Sequence, residues 1–254
     1  MTEMTVVQLP GQTKEVITSR RRSRFFMLTS VLMLLIVLLG FSPTFYLRNF
    51  FPARPIPPYL YLHGLVMTAW YVLFIGQASL IGFNRQDLHR RLGIAGLVLA
   101  VAVAVVGLFV NMHLRSRVQA SGIAMTPPLE GFLNAIALVG LFLLGGFSLF
   151  IAAAIFFRRR AEAHRRLMFL AMLSTLPPAI GPGRWIGRTL LPLLPPWPGF
   201  ITLVTLAFLI ALGIHDIWSR RGIHPITLWG GAFLVCLELI PNELTGNMIT
   251  IGPP

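Results

Sequence analysis

Long apolar segments alternate with short polar turns along most of the chain. A membrane-spanning helix needs about 20 mostly apolar residues, and seven segments meet or approach that length. They lie at 25–47, 59–83, 92–114, 131–157, 164–180, 199–218 and 224–244. The pattern predicts an all-α, polytopic transmembrane helix bundle of about seven spans.

The fifth segment is the weakest of the seven. Prolines and glycines end it early, at Pro177, Pro178, Gly181, Pro182 and Gly183. Residues 189–198, which follow, are apolar and proline-rich and include Trp197, a composition that favours an interfacial or re-entrant segment over a further span. We expect a basic tail at 1–23, a membrane domain at 24–247 and a short C-terminal tail at 248–254.

The basic residues indicate how the bundle is oriented. Of the 254 residues 56% are hydrophobic and 11% charged, which is about half the charged fraction of a soluble domain and excludes a soluble enzyme. The net charge is +13, but the arginines form clusters between apolar segments and give no nucleic-acid surface. Alternate turns hold 15 of the 21 Lys and Arg residues on one side. The positive-inside rule then predicts a cytoplasmic N-terminus, a periplasmic C-terminus and a bacterial inner-membrane location.

The sequence lacks the motifs of several common catalytic and cofactor-binding sites. The single cysteine, Cys236, cannot form an intramolecular disulfide, and no CxxCH sequence is present for covalent haem attachment. The sequence also lacks HExxH, GxSxG, Walker and GxGxxG motifs. Candidate chemistry therefore rests on the polar side chains placed at membrane depth, which are costly there and are functional hypotheses by default.

Two histidines fall in an outer layer. His63 and His113 lie at equal distances from the turn between the second and third segments, so both reach about the same height. If they face inward, they can bind one haem iron from two sides. His63, Trp70 and Gln77 are spaced by seven and share one helical stripe. The alternative is that His113 lies in water at the helix end.

A second layer falls on the cytoplasmic side. His89, His164 and His224 begin three outward-running helices, and His215 and Asp216 end another on the same side. Together, and with Asp87 or Glu162 as a further candidate, they suit a divalent metal such as zinc or iron, or a haem. The neighbouring arginines favour the alternative that this layer binds lipid phosphates.

Glu238 is an acidic residue within the seventh segment. It falls in the outer half of the membrane, where it could meet the outer histidines or Arg184. A carboxyl group at that depth is a candidate proton carrier or metal ligand. The alternative is a residue near the interface that pairs with water.

Repeated motifs carry two resemblances. The chain has an H-x6-W-x6-Q stretch at 63–77, HRRLG at 89–93, HRRLM at 164–168, and Asp216 followed by RR-x-x-HP at 220–225. In these it resembles a widespread group of bacterial polytopic inner-membrane proteins without an established activity. More weakly, at His63, Gly64, Met67 and His89, it is similar to the cytochrome b561 group. That likeness implies b haems bound near the membrane faces.

Three function hypotheses follow from the sequence. The first is a haem- or metal-binding redox protein that exchanges electrons with a quinone or a partner protein. Its axial ligands would be His63 with His113, and His89 with His164 or His224. The second is a non-catalytic accessory or assembly subunit that binds lipid or partner helices. The third is a proton-coupled transporter that uses Glu238 and Asp216.

Overall fold

The structure, a computed structural model, describes residues 10–51, 55–181, 184, 186, 189 and 199–245. Within these ranges every regular element is helical, which confirms the all-α prediction. The α-helices are α1 (Pro10–Gly40), α2 (Pro58–Gly82), α3 (Gln86–Met112), α4 (Leu114–Ala120), α5 (Pro127–Phe156), α6 (Ala161–Ser174), α7 (Pro177–Ile180), α8 (Phe200–Arg220) and α9 (Gly231–Leu244). Two π-helical turns lie at Ser42–Tyr46 and Ile226–Gly230, and a 3-10 turn lies at Arg48–Phe50.

Among the described residues, four helices are long and apolar enough to cross a membrane. They are α2, α3, α5 and most of α8, with 25, 27, 30 and 20 residues. The apolar parts of α1 and of the last helix, Arg24–Gly40 and Ile226–Pro241, are shorter. The chain is therefore a membrane protein by the length and composition of these helices.

The helices lie where the hydropathy pattern places them, with two differences. Helix α1 begins at Pro10, so the basic cluster at 20–24 belongs to the helix, and α1 ends at Gly40 instead of near residue 47. The fifth segment divides into α6 and α7, because Pro177 and Pro178 begin a new short helix. Pro182, Gly183, residues 190–198 with Trp197, and the tail at 248–254 lie outside the described residues.

Helix α6 is the centre of the molecule. All its residues from Arg166 to Ser174 are buried except Met168, which is partly buried. Phe169 packs against Phe25 and Phe26 of α1 and Phe208 of α8. On another side Tyr71 of α2 reaches Thr175, with 3.0 Å between the hydroxyl oxygens. A helix enclosed in this way faces protein and not lipid, which explains why its sequence need not be uniformly apolar.

Glycines allow two of these close approaches. A Cβ atom on Gly40 would collide with the backbone carbonyl of Ala179, so α1 reaches α7 only because residue 40 has no side chain. A Cβ atom on Gly230 would collide with the Leu170 side chain of α6. The π-helical turn at Ile226–Gly230 can therefore lie directly on the central helix.

The bundle has two chemically different ends. One contains Arg24, the starts of α3 and α6, the end of α8 and the turn at 221–225; we call it the arginine-rich end. Trp218 and Trp229 are 85% and 72% exposed near this end, as is typical of the membrane interface. His63, His113 and Arg184 lie at the opposite end.

Candidate functional site

His89 and His164 are neighbours at the arginine-rich end. Each is the fourth residue of its helix, α3 and α6 respectively. Their ring centroids are 6.4 Å apart, and the ring planes are nearly perpendicular, at 89°. The structure thus brings together two histidines that are 75 positions apart in the sequence.

Each of these two rings has one nitrogen already engaged. The Nδ1 atom of His164 lies 2.8 Å from the carbonyl oxygen of Ala154, which can only accept, so Nδ1 carries the proton and donates it. The Nε2 atom of His164 is therefore left with a free lone pair. A histidine held in this way by a backbone carbonyl has the arrangement usual for metal ligands.

Gln77 holds the His89 ring from α2. With its amide nitrogen toward α3, Gln77 donates to the His89 carbonyl at 3.2 Å and to ring Nδ1 at 2.6 Å. Its amide oxygen then accepts from the Gly93 backbone N–H at 3.1 Å. In this arrangement the His89 proton lies on Nε2. Gln77 therefore acts on the His89 ring directly, as its position on the stripe with His63 and Trp70 allows.

A buried ion network begins two residues further along α6, at Arg166. Arg166 is completely buried, and so is Asp216 of α8. Arg166 Nε donates to both carboxylate oxygens of Asp216, at 3.1 and 3.2 Å, and Nη2 makes a further short bond to Oδ1. Arg166 Nη1 donates to Glu162 Oε2 at 2.6 Å. The Arg166 charge is thus compensated on two sides, as a buried cation requires.

Asp216 also holds the turn before the last helix. Its Oδ2 atom accepts from the Thr227 hydroxyl at 2.5 Å and from the His224 backbone N–H at 3.1 Å. This carboxylate therefore joins α6, α8 and the 224–227 turn. It has no oxygen left for a metal ion, because both are taken by these donors and by Arg166.

His224 and His215 have surroundings unlike those of His89 and His164. The Nδ1 atom of His224 accepts from the Ile226 backbone N–H at 3.1 Å. Burial, together with the nearby Arg166 and Arg220 guanidinium groups, lowers the pKa of His224 below its usual value. The His215 ring stacks on Phe25 at 4.3 Å, and its Nδ1 atom lies 3.8 Å from Asp216 Oδ1.

The five residues predicted as one metal set are therefore divided among three environments. His89 and His164 form a pair, Asp216 and the His224 backbone belong to the Arg166 network, and His215 packs on α1. In the described part of the chain, no group of three or more His, Cys, Asp or Glu residues is close enough to hold a metal ion.

The outer histidines do not form a comparable pair. The His113 ring stacks on Phe109, one turn earlier in α3, at 4.1 Å, and its Nδ1 atom lies 2.8 Å from the Phe109 carbonyl oxygen. His63 is partly buried, and its Nδ1 atom makes no hydrogen bond to any described residue. No contact joins the two rings among the residues that the structure describes.

Two other predicted residues, Trp70 in the middle of α2 and Arg184 at the opposite end, make structural contacts. Trp70 is 2% exposed and packs edge to face on Phe147 of α5. Arg184 lies over the Phe41 ring, 4.1 Å from its centroid, and donates to the Thr44 hydroxyl at 3.3 Å. Glu238 lies elsewhere, buried between α8 and α9, where it accepts from Thr205 at 2.7 Å.

Sequence reasoning did not assign a site role to Arg166 or Thr227. Arg166 was counted only among the arginines that set the orientation. One sequence signal indicates an ion pair for Arg166, because Glu162 and Arg166 are spaced i, i+4 and therefore face each other on a helix. Thr227 had no such signal, since a threonine among apolar residues is ordinary in a membrane helix.

The fold and these contacts define an α-helical membrane protein with a paired-histidine site beside a buried ion network. No family model matches the chain, and no curated protein or solved structure matches it either.

Proposed function

We propose that this chain is a multi-pass inner-membrane redox protein that binds haem b between His89 and His164. The observation that carries the proposal is the geometry of the two rings. Two histidines that bound one metal atom through ring nitrogens, at about 2.0–2.1 Å each, would have their ring centroids roughly 6 Å apart. The 6.4 Å separation of His89 and His164 fits that value.

The number of protein ligands favours haem over a bare metal ion. A structural or catalytic zinc site takes three or four protein ligands, and the described residues offer only this pair of histidines. Haem needs one or two axial ligands, because the porphyrin supplies the other four nitrogens.

The charge around the site favours haem for a second reason. Arg165, next to His164, is paired with Glu162, but Arg90 and Arg91 follow His89 directly and are exposed. Arg90 and Arg91 would repel a divalent ion, but they can pair with the two carboxylate groups of haem b. Bound haem would supply one-electron transfer, and the protein would supply the two axial nitrogens, their orientation and the cationic rim.

Binding iron through both Nε2 atoms has a consequence for Gln77. His164 already has its proton on Nδ1, as ligation through Nε2 needs. His89 would have to move its proton from Nε2 to Nδ1, and the Gln77 amide would have to turn over so that its oxygen accepts that proton. Gln77 is thereby a positioning residue for the His89 ligand.

The remaining features of the proposal concern topology and partners. Seven spans, a cytoplasmic arginine-rich end and a periplasmic C-terminus are supported by the positions of the helices and by the 15 of 21 basic residues predicted on that side. A site near the cytoplasmic surface is accessible to a quinone or to a partner protein. His63 and His113 are not part of the proposed haem site, because the His113 ring is stacked on Phe109 of its own helix.

Haem content and visible spectra of the purified protein test this proposal. We expect the wild type, expressed with a haem supply and purified in detergent, to contain haem b and to show a Soret band that shifts on dithionite reduction. His89→Ala and His164→Ala should each lose the low-spin spectrum. His113→Ala is the matched control and should keep it. A colourless wild type, or unchanged spectra in both site variants, would overturn the proposal and favour the accessory-subunit hypothesis.

A further inference from the structure

Glu238 is a buried acid at the middle of the bundle. Its side chain is on α9 and the residue is 5% exposed. The adjacent Leu237 packs against Gly146 of α5, ten residues before α5 ends at Phe156. Ten residues of α-helix measure about 15 Å, which is half of a hydrocarbon core of about 30 Å. Glu238 therefore lies near the centre of the predicted membrane region, closer to the middle than the outer-half position predicted from the sequence.

The carboxyl group has a small polar environment made of hydroxyl groups. The Thr205 hydroxyl of α8 donates to Oε1 at 2.7 Å. The Thr202 hydroxyl, one turn earlier on α8, is the other polar group beside the carboxyl. Both threonines are buried. Oε2 makes no hydrogen bond of ordinary geometry with the described residues.

No cation compensates this acid in the described part of the chain. Helix α9 packs against α5, α6, α8 and the π-helical turn at Ile226–Gly230. Of the titratable residues on these elements, Glu162, Arg166 and Asp216 are bound to one another at the arginine-rich end. His164, Arg165, His215 and Arg220 lie at the same end, and Glu130 pairs with Arg115 near the start of α5. None of them forms an ion pair with Glu238.

An ionised carboxylate without a counter-charge is expensive at this depth. A proton removes that cost, because a protonated carboxyl is neutral and becomes a hydrogen-bond donor. A metal cation would remove the charge too, but hard cations take about six oxygen ligands. The described site offers one carboxyl and two hydroxyl groups, so it suits a proton better.

We propose that Glu238, Thr205 and Thr202 form a proton-binding site within the membrane, in which the Glu238 carboxyl is protonated at rest and exchanges that proton. Thr205 occupies Oε1, so the bound proton resides on Oε2. The site is separate from the histidine pair, and the inference does not rest on haem binding. It also distinguishes the two acids suggested as proton carriers, because Asp216 is neutralised by Arg166 and Glu238 is not.

Reaction with dicyclohexylcarbodiimide tests the site, because this apolar reagent modifies protonated carboxyl groups within membranes. We expect the detergent-purified full chain to give an adduct on the peptide that contains Glu238, and labelling to fall as the pH is raised. Glu238→Gln should abolish the adduct. Glu243→Gln, which changes an exposed acid on the same helix, should not. Absence of the adduct from the wild type, or protection by sodium ions at constant pH, would overturn the inference.

Infrared spectroscopy gives an independent measurement that does not depend on reagent access. The wild type should show a protonated-carboxyl C=O stretch that shifts in D2O and is absent from Glu238→Gln. Thr205→Val should keep the band but move its frequency, because the hydrogen bond to Oε1 is lost. A wild-type spectrum in which Glu238→Gln removes only a carboxylate band would contradict a protonated Glu238.

Discussion

The two ring nitrogens of each histidine have different partners, and this difference distinguishes the candidate ligands. His164 donates its Nδ1 proton to a backbone carbonyl, which leaves Nε2 with a lone pair. His89 and His224 both accept at Nδ1, from Gln77 and from the Ile226 N–H respectively, so in each the proton lies on Nε2. A sequence shows where the histidines are along the helices, but it does not show which ring nitrogen carries the proton. That depends on carbonyl and amide groups that only folding brings close.

Gln77 gives a first prediction at this scale. Gln77→Leu removes the side-chain partner of His89 Nδ1, and outer-shell partners of metal ligands typically contribute about 10–100-fold in affinity. We therefore expect haem to dissociate from this variant about 10–100-fold more readily in competition with apomyoglobin. Gln119→Leu, at an exposed position on α4, is the control. Equal haem retention in both variants would exclude the positioning role of Gln77.

His224 gives a second prediction, on pH. The pKa of His224 is lowered in the folded protein, so below the ordinary value of about 6.5 the unfolded chain binds a proton more readily than the folded one. Protonation of Nδ1 would also break the bond from Ile226. Thermal stability should therefore fall as the pH falls from 7.5 toward 5.5.

The matched variant for this pH effect is His224→Asn. An asparagine oxygen can accept from the N–H two residues later in an Asx turn, and it does not titrate in this range. Thermal unfolding in detergent at several pH values should show a smaller loss for the variant than for the wild type. Identical pH profiles would assign the effect to other groups.

Among the elements, α6 shows where sequence reasoning succeeds and where it fails. Hydropathy predicted its position, and its prolines predicted its early end. The pattern could not show that α6 is the central helix, because a short apolar helix looks the same whether it faces lipid or protein. The burial of Arg166 could not be predicted for the same reason, because its charge is compensated by acids on two different helices that only folding brings together. The helices were thus largely predictable, and their arrangement was not.

The Arg166–Asp216 pair should be a major contributor to the packing of α6 on α8. Removing one partner of a buried ion pair costs about 3–5 kcal/mol, because the other charge is left uncompensated. We expect Arg166→Ala and Asp216→Ala each to lower the unfolding temperature strongly, and the double variant to lose less than the sum. Arg159→Ala, at an exposed position, should change the free energy of unfolding by less than about 0.5 kcal/mol. Additive losses in the double variant would show that the pair is not coupled.

At the scale of the whole molecule, the two ends of the bundle contain different sets of polar side chains. The arginine-rich end contains the paired histidines, the ion network and the exposed Trp218 and Trp229. The opposite end contains His63, His113 and Arg184. The uneven distribution of basic residues was readable from the sequence, and the structure adds that the histidine pair and the buried ion network lie at the basic end.

The proposed orientation predicts which end reacts with reagents outside the cell. In a Cys236→Ser background, Ser116→Cys on α4 should react with a membrane-impermeant maleimide in spheroplasts. Arg159→Cys in the turn between α5 and α6 should react only after the membrane is opened. Both positions are exposed in the structure, so access to the reagent decides the result. The reverse pattern would invert the topology.

The central claim is that His89 and His164 bind one haem iron from opposite sides, and the most direct test is electron paramagnetic resonance of the oxidised, detergent-purified protein at low temperature. The 89° angle between the two rings predicts a low-spin ferric signal of the highly anisotropic type that perpendicular axial imidazoles give. His164→Ala should replace this signal with a high-spin one or remove it. A wild type without a low-spin ferric signal, or with the rhombic signal of parallel imidazoles, would contradict the account.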